Sequence, residues 1–323
     1  MAANRALSIM LQKEYVSTKR VLMTSFIVDV IDVLTNGVIA IVTRSAVMFA
    51  ETLQGVADLS SVGMLLIGYR RANKRPTKLH PFGFGKELYY WSTLAAFVVL
   101  TITATLTLVF GFRELAHPNH IHNLASALAI LSVSLVTNGY AFWVSSRKLL
   151  EGQPYTQLVK VFASSIKVAP KTAVVLDAIG TVAAVFGLIS LALYRITGYT
   201  RFDGIGAIVI GLALVSSASL LLIGSRSLVT GRSAPRQLER KIRDAARDVP
   251  EVEHVLGVQT MVMGSDDVLA NLNVHLKDGL NTDQVEKSVD KIKNAVEASD
   301  DEEELLVHVE PDDPDALHIK GQK

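Results

Sequence analysis

Six stretches of about 20 mostly apolar residues constrain the fold of this chain more than any other feature. Their approximate bounds are Val21–Val42, Ala46–Tyr69, Tyr89–Phe112, Leu124–Ser145, Thr172–Leu193 and Ile205–Ile223. A helix of about 20 apolar residues is long enough to cross the hydrocarbon core of a bilayer. The sequence therefore predicts an α-helical membrane protein with six transmembrane helices.

Lysine and arginine divide the loops between the two sides of the membrane. Most basic residues lie before the first span, between the second and third, and between the fourth and fifth. The loops on the other side carry Arg44, Arg113, Arg195 and Arg201. Because positive loops stay cytoplasmic, the pattern predicts a multi-pass integral membrane protein with both termini in the cytoplasm. We expect it in the plasma membrane.

Composition excludes several other classes. Half of the 323 residues are hydrophobic and the formal charge is only +1, which does not fit a nucleic-acid-binding or a disordered protein. The chain has no cysteine, so disulfides, thiolate metal ligands and cysteine nucleophiles are excluded. It also lacks HExxH and GxSxG motifs. We therefore expect no enzymatic activity.

A smaller soluble domain follows the last span. Its pattern predicts a helix at Pro235–Val249, two strands, a helix beginning near Asn281 or Thr282, and a final strand ending in VHVEP. This α-β-β-α-β order favours two helices on one face of a small sheet. The predicted domains are a transmembrane domain, residues 1–231, and a cytoplasmic domain, residues 232–323.

The second span contains polar residues that hydrocarbon would not accommodate singly. In AETLQGVAD, the residues Glu51, Gln54 and Asp58 are separated by three and four positions and form one stripe on a helix. The fifth span carries a lone acid, Asp177. Carboxylates from two spans with an amide oxygen make an oxygen-rich site for a divalent cation, or a structural pair inside the membrane. The same groups can exchange metal for protons.

The first span adds three further polar residues, Asp29, Asp32 and Asn36. Three interpretations remain open for them. They complete the metal site, form a separate proton path, or make a hydrogen-bonded contact between helices.

These motifs resemble those of the cation diffusion facilitator family, the proton-coupled efflux transporters of divalent metals. The resemblance is strongest in SAVMFAETLQGVADLSSVGMLLIGYRRANKRPTKLHPFGFGKELYYW, Ser45–Trp91, and is closest to the branch of mitochondrial zinc-transporter homologues. Asn138, Asp177 with Gly180, the run RFDGIGAIVIGLAL and the ending VHVEP agree with it. The resemblance covers essentially the whole chain.

The resemblance implies a dimer of six-span subunits with ferredoxin-like cytoplasmic domains. It places the transported ion between the second and fifth spans, where Asp58 and Asp177 match the family's acids and Gln54 stands for the first ligand. Glu51 matches an extra acid of the branch. Ala173 departs from the pattern, because the family commonly has His or Asp there.

The function expected from this resemblance is proton-coupled efflux of a divalent cation, namely zinc, iron, manganese or cobalt. The expected partners are the metal ion, protons, the lipid bilayer and a second copy of the chain, with no nucleic acid and no tightly bound cofactor. A site without imidazole favours oxygen-coordinated ions such as manganese or iron. The alternative is a family member that does not transport and acts as a heterodimer partner or metal sensor.

The last strand offers a second candidate metal site. His308 and Glu310 alternate on one face of this strand, as Asn273 and His275 do on another. They suit a regulatory metal site at a dimer interface. The other interpretation is a dimerisation surface without metal.

Overall fold

The computed structural model describes residues 23, 26–165, 167–265, 267–300 and 304–312. The chain forms two compact units. The first runs to Arg70 and includes Tyr89–Ala163 and Val168–Ser225. The second includes Arg71–Leu88, Ser164–Lys167 and the chain from Arg226 onward. The loop after the second span thus groups with the second unit, and the domain boundary after residue 231 stays a prediction.

The first unit is built from long helices. They are α1 (Phe26–Thr43), α2 (Ala46–Ala72), α3 (Glu87–Ala116), α4 (Leu124–Leu150), the short α5 (Leu158–Ser164), α6 (Val168–Thr197) and α7 (Arg201–Val229). The fully buried side chains of Met48, Leu131, Leu191 and Ile210 belong to one apolar core that these helices share. Residues 21, 22, 24 and 25 of the first predicted span lie outside the described residues.

Five helices among the described residues are long and apolar enough to cross a membrane: α1, α3, α4, α6 and α7. They agree with five of the six predicted spans. The second predicted span forms the 27-residue helix α2, but α2 is not among those five helices. The reason is its polar stripe of Glu51, Gln54 and Asp58, which lowers the mean hydropathy of the segment. Six spans are therefore not confirmed.

Small residues bring α3 and α7 into backbone contact. A Cβ atom on Gly204 of α7 would lie 3.0 Å from the carbonyl oxygen of Gly111 in α3, and one on Gly211 would lie 2.7 Å from the Leu108 side chain. Such contacts are typical of membrane helices, which associate through close packing and not through hydrophobic burial. Within α3, residues Val99–Ala104 form a π-helical turn.

The second unit contains α8 (Arg236–Arg247), β1 (Val252–Val262), β2 (Asp267–Leu276), α9 (Thr282–Glu297) and β3 (Glu304–Pro311). This is the predicted α-β-β-α-β order. The sheet order is β1-β2-β3, with β1 antiparallel and β3 parallel to β2. Asn281 is the N-cap of α9, and it forms a capping box with Gln284.

Alternation along β2 separates the two faces of this sheet. Val268, Ala270, Leu272 and Val274 are fully buried, and α8 and α9 contribute buried apolar residues such as Ile242 and Ile292 to the same core. The intervening residues of β2 are partly exposed and form the opposite face. A small sheet beside two helices is thus present, and the ferredoxin-like topology stays a prediction.

Candidate metal centre

The predicted polar stripe lies in the interior of the first unit. Glu51 and Gln54 are 1% and 2% exposed, and Asp58, one turn further along α2, is partly exposed. The amide nitrogen of Gln54 donates a hydrogen bond to the carboxylate of Asp58. The stripe therefore faces protein and not lipid, as the helical spacing predicts.

Glu51 differs from the other members of the stripe in having no polar partner in the described part of the chain. Both carboxylate oxygens of Glu51 are buried, and neither accepts a hydrogen bond from any of the described residues. A buried polar group without a partner costs about 1–3 kcal/mol, and more when it is charged. Glu51 is therefore a group that a bound cation or a proton would stabilise.

Helix α1 adds its acids directly beside this stripe. The Asn36 side chain donates a 2.9 Å hydrogen bond to Asp32. The Asp32 carboxylate lies over α2, because a Cβ atom on Gly55 would be 3.3 Å from its Oδ2 atom. One carboxylate oxygen of Asp29 is buried without a partner among the described residues.

Helices α2, α4 and α6 meet beside Asp177. A Cβ atom on Gly180 would lie 2.8 Å from Oδ1 of Asn138 and 3.1 Å from Nε2 of Gln54. The hydroxyl group of Ser145 on α4 lies beside the Asp177 carboxylate and donates a 3.2 Å hydrogen bond to the Phe142 carbonyl. Because Gly180 has no side chain, Asn138 of α4 and Gln54 of α2 can both approach α6 one turn after Asp177.

Asp58 is the common neighbour of these acids. The carboxyl groups of Asp29, Asp32, Glu51 and Asp177 all lie near enough to interact electrostatically with it. Within the described part of the chain, no lysine or arginine forms an ion pair with any of the five. A cluster of acids without a basic partner is stabilised by cations or protons.

The five acids do not form a closed coordination shell. Among the described residues, no three His, Cys, Asp or Glu side chains are grouped tightly enough to hold a metal ion. Ala173, one turn before Asp177, has no donor atom to complete a shell. Binding would therefore require these side chains to converge further.

The candidate site on the last strand is occupied by hydrogen bonds within the sheet. Nδ1 of His308 is 3.0 Å from the Asn271 side-chain oxygen, and Asn273 donates a 3.3 Å hydrogen bond to Glu310. His275 lies 3.7 Å from Glu253 across to β1. Each predicted ligand thus already has a protein partner, and the regulatory metal site stays a prediction.

One structurally important residue, Asp203, was not singled out from the sequence. Asp203, at the start of α7, is fully buried. It accepts hydrogen bonds from the Ser45 hydroxyl at 2.6 Å, from the Ala46 amide at 2.5 Å and from the Val47 amide at 3.1 Å. It therefore caps α2 from another helix. In the sequence it stands in the run RFDGIGAIVIGLAL as an acid in the first turn of α7, which predicts a local cap instead.

Comparisons with known proteins agree with this architecture. The family model for the cation efflux transmembrane domain matches residues 22–228, and the model for the cytoplasmic domain of cation efflux proteins matches residues 234–312. The human proton-coupled zinc antiporter SLC30A9, mitochondrial, is 27% identical over 233 residues, which cover 69% of this chain and 40% of that protein.

Plant and bacterial relatives show a similar level of identity. Metal tolerance protein C4 of Arabidopsis thaliana is 27% identical over 226 residues, covering 69% of this chain and 49% of that protein. Zinc transporter ZitB of Escherichia coli strain K12 is 24% identical over 229 residues, covering 70% and 67%. The chain spans less than half the length of the human and plant relatives.

The matches support a multi-pass membrane protein of a transport family and not an enzyme. They do not support the predicted plasma-membrane location, because the human relative is mitochondrial by name. They also give no specific support to iron or manganese. The match to the transmembrane family model covers more than half of this chain. The chain therefore belongs to the cation diffusion facilitator family of cation efflux proteins.

Proposed function

We propose that this chain moves a divalent metal cation out of the cytoplasm in exchange for protons. The observation that carries the proposal is the acid cluster around Asp58, above all Glu51, whose two buried carboxylate oxygens lack a partner among the described residues. A purely structural polar group inside a membrane protein is normally paired. An unpaired carboxylate beside further acids fits a group that alternates between a cation and a proton.

In this mechanism Asp58 of α2 and Asp177 of α6 are the primary ligands. Gln54, already hydrogen-bonded to Asp58, contributes its amide oxygen after the side chain reorients. Glu51 takes up a proton when the ion leaves, and Asp29 and Asp32 add negative charge from α1. Because carboxylates must be deprotonated to bind metal, metal affinity falls as the local pH falls. A proton gradient can therefore drive release on the far side in an alternating-access cycle.

The names of the relatives and the donor atoms around Asp58 favour different ions. The human and bacterial relatives are named for zinc, which favours zinc. Among the described residues, the side chains around Asp58 that can bind a metal offer oxygen atoms, and manganese or iron(II) prefer oxygen ligands to nitrogen and sulfur ligands. Zinc is the first ion to test, with manganese, iron(II) and cobalt beside it.

We also propose a homodimer that forms through the cytoplasmic domain. The partly exposed face of β2 and the exposed Leu306 of β3 offer a surface for this contact. We also propose, from the distribution of lysine and arginine among the loops, that both termini lie in the cytoplasm. Subcellular fractionation would identify the membrane in which the protein resides.

The proposal is tested by ion uptake into proteoliposomes with an imposed pH gradient. Uptake by the intact chain should depend on the gradient, and Asp58→Ala and Asp177→Ala should each abolish it. Asp290→Ala, which removes an exposed acid of α9, is the matched control and should transport normally. Normal transport by Asp58→Ala and Asp177→Ala would overturn the proposed site.

The alternative function is that of a partner or metal sensor without transport. Ala173 and the absence of a three-ligand group among the described side chains favour it. In this case no ion is taken up by the purified chain, while a metal still binds and is lost in Asp58→Ala. Calorimetry on the same preparations separates the two functions.

A further inference from the structure

A small cavity opens where one end of α2 meets the end of α3. Its volume is about 210 Å³, and its lining includes Arg44, Phe49, Phe110, Arg113, Glu114 and Asn119. The lining residues come from the link between α1 and α2, from both helices, and from the segment that follows α3. Because α1, α2 and α3 all end or begin here, the cavity lies near one surface of the bilayer.

The cavity carries uncompensated positive charge. Arg44 and Arg113 are exposed, and neither forms an ion pair with a carboxylate of the described chain. The nearby acid, Glu114, is 6% exposed and already accepts bonds from the Asn119 backbone at 2.5 Å and side chain at 2.8 Å. Two guanidinium groups are therefore left to bind an anion from outside the chain.

The position of Arg44 is fixed by the backbone around it. Its φ angle is 56°, in the left-handed region, and its amide bonds the Ala40 carbonyl at 2.8 Å. On one side Thr43 accepts a 2.9 Å bond from the His122 amide, and on the other Ser45 is held by Asp203. Arg44 thus projects from a rigid link, which lowers the entropy that binding would cost.

The side of the cavity that α2 and α3 form is apolar. The rings of Phe49 and Phe110 stack with centroids 5.4 Å apart and an interplanar angle of 7°. On the same helix as Phe110, Leu106 and Val109 are 40% and 55% exposed. A ligand that fits this surface has an anionic head for the arginines and a hydrocarbon chain for the helices.

We propose that this cavity binds an anionic phospholipid, with its phosphate group between Arg44 and Arg113 and an acyl chain along Phe110. Arginine pairs bind phosphate oxygens with several hydrogen bonds at once. Basic pockets between membrane helices bind lipid headgroups on the cytoplasmic side of other membrane proteins, and we infer the same chemistry for this pocket on the opposite side. The two other arginines on this side of the membrane, Arg195 and Arg201, do not line the cavity and provide a matched comparison.

The test is binding of phosphatidylglycerol to the full chain in detergent, measured by native mass spectrometry and by the shift of the thermal unfolding midpoint. Arg44→Gln/Arg113→Gln should lower the affinity at least tenfold, while Arg195→Gln/Arg201→Gln should leave it unchanged. Glutamine tolerates the backbone at position 44 as well as arginine does, so the lipid-free midpoints of both variants should match the parent. This readout requires no transport and is independent of the proposed function.

Two further ligands separate a lipid site from a simple anion site. Phosphatidylcholine, whose headgroup has no net charge, should bind more weakly than phosphatidylglycerol. Inorganic phosphate should give no comparable midpoint shift. Equal loss of phosphatidylglycerol binding in both double variants, or full replacement of its effect by inorganic phosphate, would overturn the proposal.

Discussion

Replacing Asp203 by alanine should destabilise the first unit more than any other change to a single polar side chain at this end of α2. The carboxyl group of Asp203 is the acceptor for the Ser45 hydroxyl and for the amides of Ala46 and Val47. All four residues are buried. Alanine removes the carboxylate oxygens that these three donors share. The two amides would then lack an acceptor.

The expected loss of folding stability is set by the Ala46 and Val47 amides. A buried donor left without a partner costs about 1–3 kcal/mol, so the two amides together cost roughly 2–6 kcal/mol. For a unit of about 200 residues, a loss of about 3 kcal/mol lowers the unfolding midpoint by roughly 6–12 °C. Ser45→Ala removes the hydroxyl donor and also the acceptor of a 3.3 Å bond from the Met48 amide. The Ala46 and Val47 amides keep their acceptor, so the change should cost only about 1–2 kcal/mol.

The assay is thermal unfolding of the full chain in detergent, followed by size-exclusion chromatography of the fraction that stays folded. Asp203→Asn retains one acceptor oxygen and should lie between Ser45→Ala and Asp203→Ala. The double variant Ser45→Ala/Asp203→Ala should lose less stability than the sum of the two single variants, because both changes remove one shared hydrogen bond. An unfolding midpoint for Asp203→Ala equal to that of Ser45→Ala would refute the capping argument.

Three further predictions follow from other contacts. Gly180→Ala places a methyl group 2.8 Å from the Asn138 side chain. It should cost about 1–3 kcal/mol of stability and slow transport. Gly139→Ala, whose methyl group meets no atom within 4 Å, should change neither stability nor transport. Gln54→His should shift uptake toward zinc if position 54 contacts the ion, and unchanged selectivity would remove it from the site. Burial raises the pKa of Asp267 above its ordinary value of 3.8, so the folded state loses stability as the pH rises through that group's folded pKa. Asp267→Asn should therefore raise the unfolding midpoint of the second unit at about pH 7.5 and by less at about pH 4.5; an equal gain at both would contradict this.

Helical periodicity accounts for what could be predicted about the site. Positions 51, 54 and 58 share one face in any α-helix, so burial of Glu51 and Gln54 and the bond from Gln54 to Asp58 needed only the correct assignment of a helix. The order of elements in the second unit was equally local, since strand alternation and the Asn281 cap are read from neighbouring residues.

Contacts between distant segments account for what could not be predicted. The bond from Ser45 to Asp203 joins residues 158 positions apart, and nothing in either local pattern indicates the other. Ser145 of α4, which lies beside Asp177, is one of many serines in apolar helices. In β3, the parallel register with β2 pairs His308 with Asn271, which the sequence of either strand does not specify.

A comparison within the chain separates a structural acid from a functional one. Asp203 and Glu51 are 0% and 1% exposed, and both lie on helices of the first unit. The Asp203 carboxylate accepts hydrogen bonds from three donors. A buried acid that stabilises a fold needs such partners. Glu51 has none among the described residues and faces other acids. An unpaired buried acid destabilises the fold unless a cation or proton binds it. Glu51 should therefore lower the stability of the first unit while being needed for ion movement. Glu51→Leu should therefore raise the unfolding midpoint while abolishing proton-coupled uptake, and a variant that lost stability instead would place Glu51 with Asp203 among the structural residues.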